Sequence, residues 1–97
     1  MAEDGTKVAP HVYKVVFENE RARVLDVTME QGARTEMHSH PDYAVYVLNA
    51  GKVRFTTPSG ETQDVEMPAD AVIWRQAEEH ATENLGGRVR VLFFEPK

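Results

Sequence analysis

Short runs of β-branched and aromatic residues recur along the chain, and turn-forming residues separate them at close, regular intervals. In residues 21–29, Leu25, Val27 and Met29 lie at alternate positions, which predicts a strand with one buried face. No segment shows the periodicity of an amphipathic helix. The pattern therefore predicts an all-β fold, a small antiparallel β-barrel or jelly roll, with about eight or nine strands over residues 12–18, 21–29, 35–40, 43–48, 52–56, 62–67, 71–75, 80–84 and 88–94.

The length and the absence of cysteine limit what the chain can be. Its 97 residues predict one domain with a single core. The chain has no cysteine, which excludes a disulfide framework, a thiolate nucleophile and a cysteine-based zinc or iron–sulfur site. We expect residues 1–10, MAEDGTKVAP, to form a flexible N-terminal arm and residues 11–97 to form a single domain.

The charge pattern argues against two classes of partner. The net charge is −5, and the lysines and arginines are scattered rather than clustered, so we expect no nucleic-acid partner. No apolar run approaches the length of a membrane span, so we expect no membrane partner. The acidic N-terminus lacks the apolar core of a signal peptide, and together with the absence of cysteine this predicts a cytoplasmic location.

The histidines are the most specific chemical feature of the sequence. His38 and His40 are separated by one residue at the end of a predicted strand, and this spacing puts both side chains on one face. Two imidazoles on one face are what a metal site requires from a strand. His80, about forty residues later, is a third candidate ligand. Neutral imidazole suits Zn, Fe, Ni and Cu.

The spacing of glycine and histidine around this pair resembles the first motif of the cupin superfamily. Gly32 is followed by five residues, then by His38 and His40 in a His-x-His sequence, and Gly51 closes the pattern. His80 and the asparagine four residues after it fit the end of the second cupin motif. The resemblance covers roughly residues 24–94 and implies a small double-stranded β-helix, or jelly-roll barrel.

The resemblance also implies a metal site. His38, His40 and His80 stand at the ligand positions and would hold a divalent transition metal (Fe, Zn, Ni, Mn or Cu), with open positions for water or substrate. The alternative is a cupin-like fold in which the histidines only form hydrogen bonds inside a polar cavity. Asn84 is expected to brace the backbone rather than bind metal.

The chain departs from the family pattern at the carboxylate ligand. The glutamate of the first motif is absent, and either Tyr43 or Ala44 stands in its place, depending on how the motif is aligned. Glu36 lies two residues before His38, so strand alternation would put it on the same face, as a ligand, a base or a charge at the rim. Tyr43 is a candidate hydrogen-bond donor beside the metal.

Arg75 stands where the second motif has a proline. It could hold the carboxylate of a substrate or pair with Glu78 or Glu79, which we expect to lie in an exposed loop. Glu36, Tyr43 and Arg75 are therefore the candidate catalytic residues.

The resemblance leaves several functions open. Small cupins include dioxygenases, isomerases and decarboxylases, which implies a metal-dependent oxidoreductase or isomerase acting on a small organic acid. The alternatives are a non-catalytic module that binds or senses a small ligand, with or without metal, and a scaffold that acts through its dimer surface. Small cupins commonly pair, so we expect a homodimer, with residues 12–17 as the candidate contact segment.

Overall fold

The structure is a computed structural model and describes residues 2–97. These residues form nine strands and one short helix, so the predicted all-β fold is confirmed. The helix is α1 (Gly5–Val8), and the strands are β1 (Tyr13–Glu18), β2 (Ala22–Met29), β3 (His38–His40), β4 (Tyr43–Asn49), β5 (Gly51–Thr56), β6 (Thr62–Met67), β7 (Val72–Arg75), β8 (Glu78–Gly86) and β9 (Val89–Pro96).

The strands form two antiparallel sheets that face each other. The larger sheet has five strands in the order β1-β2-β9-β4-β7, and the smaller has four in the order β3-β8-β5-β6. The two sheets do not close into one barrel, because β1 and β7 end the first sheet and β3 and β6 end the second. The predicted jelly-roll fold is confirmed, with two open sheets rather than a closed barrel.

The core lies between the sheets and follows the alternation seen in the sequence. Leu25, Val27 and Met29 are buried, and β2 pairs them with inward-facing residues of β9 along its whole length. Burying each such side chain contributes about 1.5–3 kcal/mol. Among residues 2–97, no helix is long and apolar enough to cross a membrane.

Two glycines of the first motif are required for different reasons. Gly32 has a φ of 78°, a left-handed conformation that favours glycine in the loop before β3. Gly51 has no room for a side chain, because a Cβ there would clash with Val89 Cγ2. Both glycines shape the connections that bring β3 and β5 into the smaller sheet.

The N-terminal residues pack against the domain. The Asp4 side chain accepts a hydrogen bond from Thr6 N and caps α1, and Ala9 is buried. The backbone N–H of Ser39, in β3, donates to the carbonyl of Glu3 at 2.8 Å, so this segment covers the outer edge of the smaller sheet. A division of the chain at residue 10 stays a prediction, but residues 2–9 are docked in the structure.

Strand β3 is shorter and β8 longer than the sequence pattern predicts. Strand β3 contains only His38–His40, and β8 begins at Glu78 rather than at His80. The pairing gives the reason: His38 lies opposite His80, and His40 lies opposite Glu78. Glu78 is thus a strand residue and half-buried, so the expected exposed loop at this position is wrong.

Candidate metal centre

The three histidines meet between the sheets. Each offers one nitrogen, and these nitrogens lie within 4.8 Å of one another. His38, His40 and His80 are 0%, 4% and 1% exposed, and their ring centroids are 4.7–5.2 Å apart. The meeting follows from topology, because β3 carries two of the rings and pairs directly with β8, which carries the third.

The orientation of His38 is fixed by hydrogen bonds to both of its ring nitrogens. Its Nδ1 lies 2.7 Å from the carbonyl oxygen of Glu36, and a carbonyl can only accept, so Nδ1 carries the proton. Its Nε2 is therefore the acceptor for the Tyr13 hydroxyl, at 3.0 Å. Burial lowers the pKa of His38 to about 4, which keeps the ring neutral near pH 7.

A charged network lies beside His80. Its Nδ1 is 3.2 Å from Oε1 of Glu78, although the pair is not aligned as a hydrogen bond. Glu78 also accepts hydrogen bonds from Arg75 at 2.6 and 2.8 Å and from the Tyr43 hydroxyl at 2.7 Å. Burial alone would raise the pKa of Glu78, but these donors lower it well below its usual range. Burial lowers the pKa of His80, and Glu78 partly offsets this.

A second buried carboxylate lies beside His40. Glu95 is 2% exposed, and its Oε2 is 3.9 Å from His40 Nδ1. Its other oxygen accepts a hydrogen bond from Arg23 Nε at 2.6 Å, and Arg23 also pairs with Asp4 at 2.9 Å. The Nδ1 sides of all three histidines thus face an oxygen acceptor, which leaves Nε2 of each ring as the atom for a ligand.

The donor set fits a transition metal. Both ring nitrogens of His40 and both of His80 are buried and lack a hydrogen-bond partner. A buried polar group without a partner costs about 1–3 kcal/mol, so partnerless nitrogens in a core require an explanation. Three converging neutral imidazoles whose outer nitrogens face oxygen acceptors are the arrangement that metal-binding histidines adopt.

The cluster is enclosed on several sides. The ring of Phe55 stacks on His80 at 4.4 Å, and the guanidinium of Arg75 lies over Phe55. On another side, a Cβ on Gly5 would lie only 3.0 Å from His40 Cε1, so α1 packs directly on the rings. Five surface cavities within residues 2–97 are lined by other residues, and none of them by the three histidines.

Glu36 does not join the cluster. Its side chain is exposed, and it contributes only its backbone carbonyl, to His38. The predicted shared face assumes that the strand extends back to residue 35. Because β3 begins at His38, alternation does not reach Glu36.

Tyr43 and Arg75 lie near the histidines, but the polar groups of both side chains donate to Glu78. The Tyr43 ring packs 5.1 Å from His40, yet its hydroxyl donates to Glu78 rather than towards the cluster. Arg75 is paired with Glu78 through two hydrogen bonds, so pairing rather than a free guanidinium is what the structure shows. Asn84 braces the backbone as expected, since its Nδ2 donates to the carbonyls of Met29, Glu30 and Gly87.

Sequence patterns missed Tyr13 and Glu95 at the centre, and they placed Glu78 in an exposed loop although they offered it as a partner of Arg75. Tyr13 lies before the region covered by the motif resemblance, and nothing in its strand marks it as polar-facing. Glu95 lies at an inward position of β9, where a carboxylate is unexpected, and that anomaly is a usable signal. Glu78 is two residues before His80, so a strand beginning earlier would have placed both on one face.

Comparison with known proteins supports the fold. No family model matches the chain, and no curated protein matches it either. Among solved structures, a cupin domain from Bordetella pertussis has 25% identity and a TM-score of 0.81, over 89% of this chain and 92% of that one. A cupin superfamily protein from Desulfitobacterium hafniense has 14% identity and a TM-score of 0.64, over 88% and 75%.

A third similar structure comes from Schizosaccharomyces pombe. The Cnp3 cupin domain of Schizosaccharomyces pombe has 20% identity and a TM-score of 0.61, over 84% of this chain and 61% of that one. Likenesses at this level of identity concern the fold alone. They agree with the motif spacing around His38, His40 and His80, and the chain therefore has the fold of the cupin superfamily.

Proposed function

We propose that this protein binds a divalent transition metal through His38, His40 and His80 and uses it on a small organic acid. One observation carries the proposal: three buried histidines converge, and four of their ring nitrogens have no partner. A structural role as hydrogen-bonded core residues accounts for His38 but leaves His40 and His80 unexplained.

The residues around the histidines prepare the rings for a metal. The Glu36 carbonyl fixes the tautomer of His38, and Glu78 and Glu95 lie on the Nδ1 sides of the other two rings. Phe55 excludes water from one face of the cluster. A bound metal supplies Lewis acidity or activation of oxygen. An oxidoreductase or isomerase is the class of enzyme that this centre supports.

The side with Arg75 is the proposed approach for an organic acid. A surface cavity of about 360 Å³ is lined by Trp74, Arg75, Gln76, Ala77 and Glu78, and Glu78 separates it from His80. A carboxylate entering this cavity meets the Arg75 guanidinium first and competes with Glu78 for it. Binding of an acid would thus free the carboxylate that faces His80.

Enclosure of the cluster favours a second candidate function. All three histidines are at most 4% exposed, and the described cavities do not reach them. A metal held in a closed site with no route for substrate would serve a binding or sensing module rather than an enzyme.

Metal analysis tests the common part of both functions. Protein purified without chelator and reconstituted with zinc or ferrous iron should hold about one metal per chain. Replacing His38 and His80 together with alanine should abolish uptake, whereas His11→Ala, at an exposed position, should retain it. Wild-type protein that takes up less than about a tenth of an equivalent would overturn the proposal.

Turnover separates the two candidates. Metal-loaded protein is assayed for oxygen uptake and product formation across a panel of small keto, hydroxy and amino acids. Conversion that is lost in the double histidine variant supports the enzyme. Metal binding with a saturable ligand but no conversion supports the binding module.

We also propose a homodimer through the outer face of the five-stranded sheet. Cross-strand pairing lines up one apolar residue from each strand on this face, namely Phe17, Val24, Phe94, Ala44 and Trp74. The three aromatic residues are 55%, 49% and 55% exposed. With their exposed neighbours they offer on the order of 600 Å², close to the area of about 800 Å² per partner in a standard interface.

Light scattering at the assay concentration tests the dimer. Wild-type protein should have the mass of two chains, and Trp74→Lys combined with Phe94→Lys should give one. Lys52→Ala, at an exposed position of the other sheet, is the control and should leave the dimer intact. A wild-type monomer would refute this interface. The cytoplasmic location and the expected lack of nucleic-acid and membrane partners stay predictions.

A further inference from the structure

The hydroxyl of Tyr13 is the hydrogen-bond partner of His38 Nε2, the nitrogen that would bind a metal. It lies 3.0 Å from Nε2, the nitrogen of His38 that carries no proton. The hydroxyl proton is therefore hydrogen-bonded to the Nε2 lone pair with which His38 would bind a metal. A metal bound by this ring must displace that proton, and the oxygen then lies beside the metal.

The separation of the two atoms suits neighbouring ligands of one ion. Metal–nitrogen and metal–oxygen bonds in protein sites are about 2.0–2.2 Å long. Two ligands at that distance are about 3.0 Å apart at right angles and about 3.4 Å apart in a tetrahedral site. Tyr13 Oη and His38 Nε2 are 3.0 Å apart, at the short end of this range.

The structure holds the Tyr13 ring where it is. The ring lies 5.0 Å from His38 and 5.1 Å from His40 between centroids, and it also packs on Phe93. Gly5 closes the remaining side, because a Cβ there would lie 3.2 Å from Tyr13 Cδ2. This packing keeps the hydroxyl next to the cluster.

Tyr13 also supplies a negative charge, which the three histidines lack. Three neutral imidazoles leave the full charge of a divalent ion uncompensated inside the core, which is costly. The nearest carboxylates do not compensate it directly, since Glu78 and Glu95 are engaged with Arg75 and Arg23. An anionic oxygen on the inner side of the cluster reduces that charge by one.

We propose that Tyr13 is the fourth protein ligand of the metal held by His38, His40 and His80. The inference rests on the proposed metal binding. The bond from Tyr13 Oη to the metal forms as the O–H bond breaks, and the proton passes to water.

Reconstitution with ferric iron and with zinc tests this assignment. Ferric wild-type protein should show a visible phenolate-to-iron charge-transfer band. Tyr13→Phe should lose the band, retain one metal per chain and bind zinc at least tenfold more weakly. Tyr46→Phe is the matched control and should keep both the band and the affinity, because the Tyr46 hydroxyl lies on the surface and donates to Asp70.

Proton release gives a second measurement that needs no colour. Zinc added to the metal-free wild type at pH 7.5 should release about one proton per metal more than it releases from Tyr13→Phe. Circular dichroism shows whether the variant keeps its strands, and the phenylalanine ring preserves the packing.

The possible failures are distinguishable. A wild type that binds no metal overturns both the proposed function and the role of Tyr13. Histidine-dependent metal binding without the band, or a Tyr13→Phe protein that keeps both the band and the extra proton, overturns the role of Tyr13 alone.

Discussion

Two tyrosines flank the same histidine and differ in what their hydroxyls do. Tyr13 and Tyr43 are both buried, and each ring lies 5.1 Å from His40. The Tyr13 hydroxyl bonds to His38, whereas the Tyr43 hydroxyl bonds to Glu78. Proximity of the ring therefore does not assign a role, and the partner of the hydroxyl does.

The two sides of the cluster are also built from different parts of the chain. The Tyr13 side comes from β1 and α1, where small residues and backbone pack on the rings. The Tyr43 side comes from β4, β7 and β8 and contains the charged pair of Arg75 and Glu78. Packing thus shapes one side and electrostatics the other, so each should respond to different perturbations.

The largest expected effect is the acid sensitivity of the metal-free protein, through His38. Burial holds its pKa at about 4, against 6.5 for the unfolded chain. Between these values the unfolded state binds more protons, so stability is lost as the pH falls from about 6.5 to about 4. The loss should be on the order of 3 kcal/mol.

Urea denaturation in chelator, repeated across this pH range, measures the slope. His11→Ala should keep the wild-type slope, and His38→Ala should reduce it, with the remainder coming in part from the buried His80. A wild type whose stability is constant from pH 6.5 to 4 would contradict the burial of a neutral His38.

The second effect isolates the Tyr43 side. Glu78→Ala leaves the Arg75 guanidinium and the Tyr43 hydroxyl without their shared acceptor. Both members of the Arg75–Glu78 pair are about one-fifth exposed, so we expect a loss of about 2 kcal/mol rather than the 3–5 kcal/mol of a fully buried pair. Glu79→Ala, which removes one hydrogen bond from the backbone of Ala2, should cost less than about 1 kcal/mol.

Chemical denaturation of the metal-free protein at pH 7.5 compares the two variants. Equal losses for Glu78→Ala and Glu79→Ala would mean that the charged network does not stabilise this side. The ferric charge-transfer band should survive in Glu78→Ala, because Tyr13 is untouched.

The sequence predicts the fold better than it predicts the site. Alternation in residues 21–29 gives the buried face of β2, and the His-x-His spacing gives two rings on one face, both of which the structure shows. These are local properties of a strand. Tyr13, Glu95 and the docking of α1 depend on which distant strands meet, and local pattern carries no information about that.

Glu36 shows that local pattern can also place a residue at the site wrongly. Alternation would place it beside His38 only if β3 extended two residues further. The strand begins at His38 because its partner β8 begins its pairing with β3 there, opposite His80. Two residues of strand length therefore decide whether alternation reaches this carboxylate.

The smallest expected effect tests the packing on the Tyr13 side. In Gly5→Ala the new methyl group would lie 3.0 Å from His40 Cε1 and 3.2 Å from both His38 Cδ2 and Tyr13 Cδ2, so these rings must shift by a few tenths of an ångström. We expect a cost of about 1 kcal/mol in the metal-free protein, the lower end for overpacking. Gly86→Ala is the control, because a Cβ at Gly86 has no heavy atom within 4 Å.

The zinc affinity of Gly5→Ala tests the packing more directly than its stability does. A shift of His38 relative to Tyr13 disturbs two ligands of one ion, so zinc should bind several-fold more weakly in Gly5→Ala and unchanged in Gly86→Ala. Titration with a competing chelator measures both. If Gly5→Ala binds zinc as tightly as the wild type, the N-terminal segment merely covers the cluster, and the Tyr13 side does not depend on α1 for its geometry.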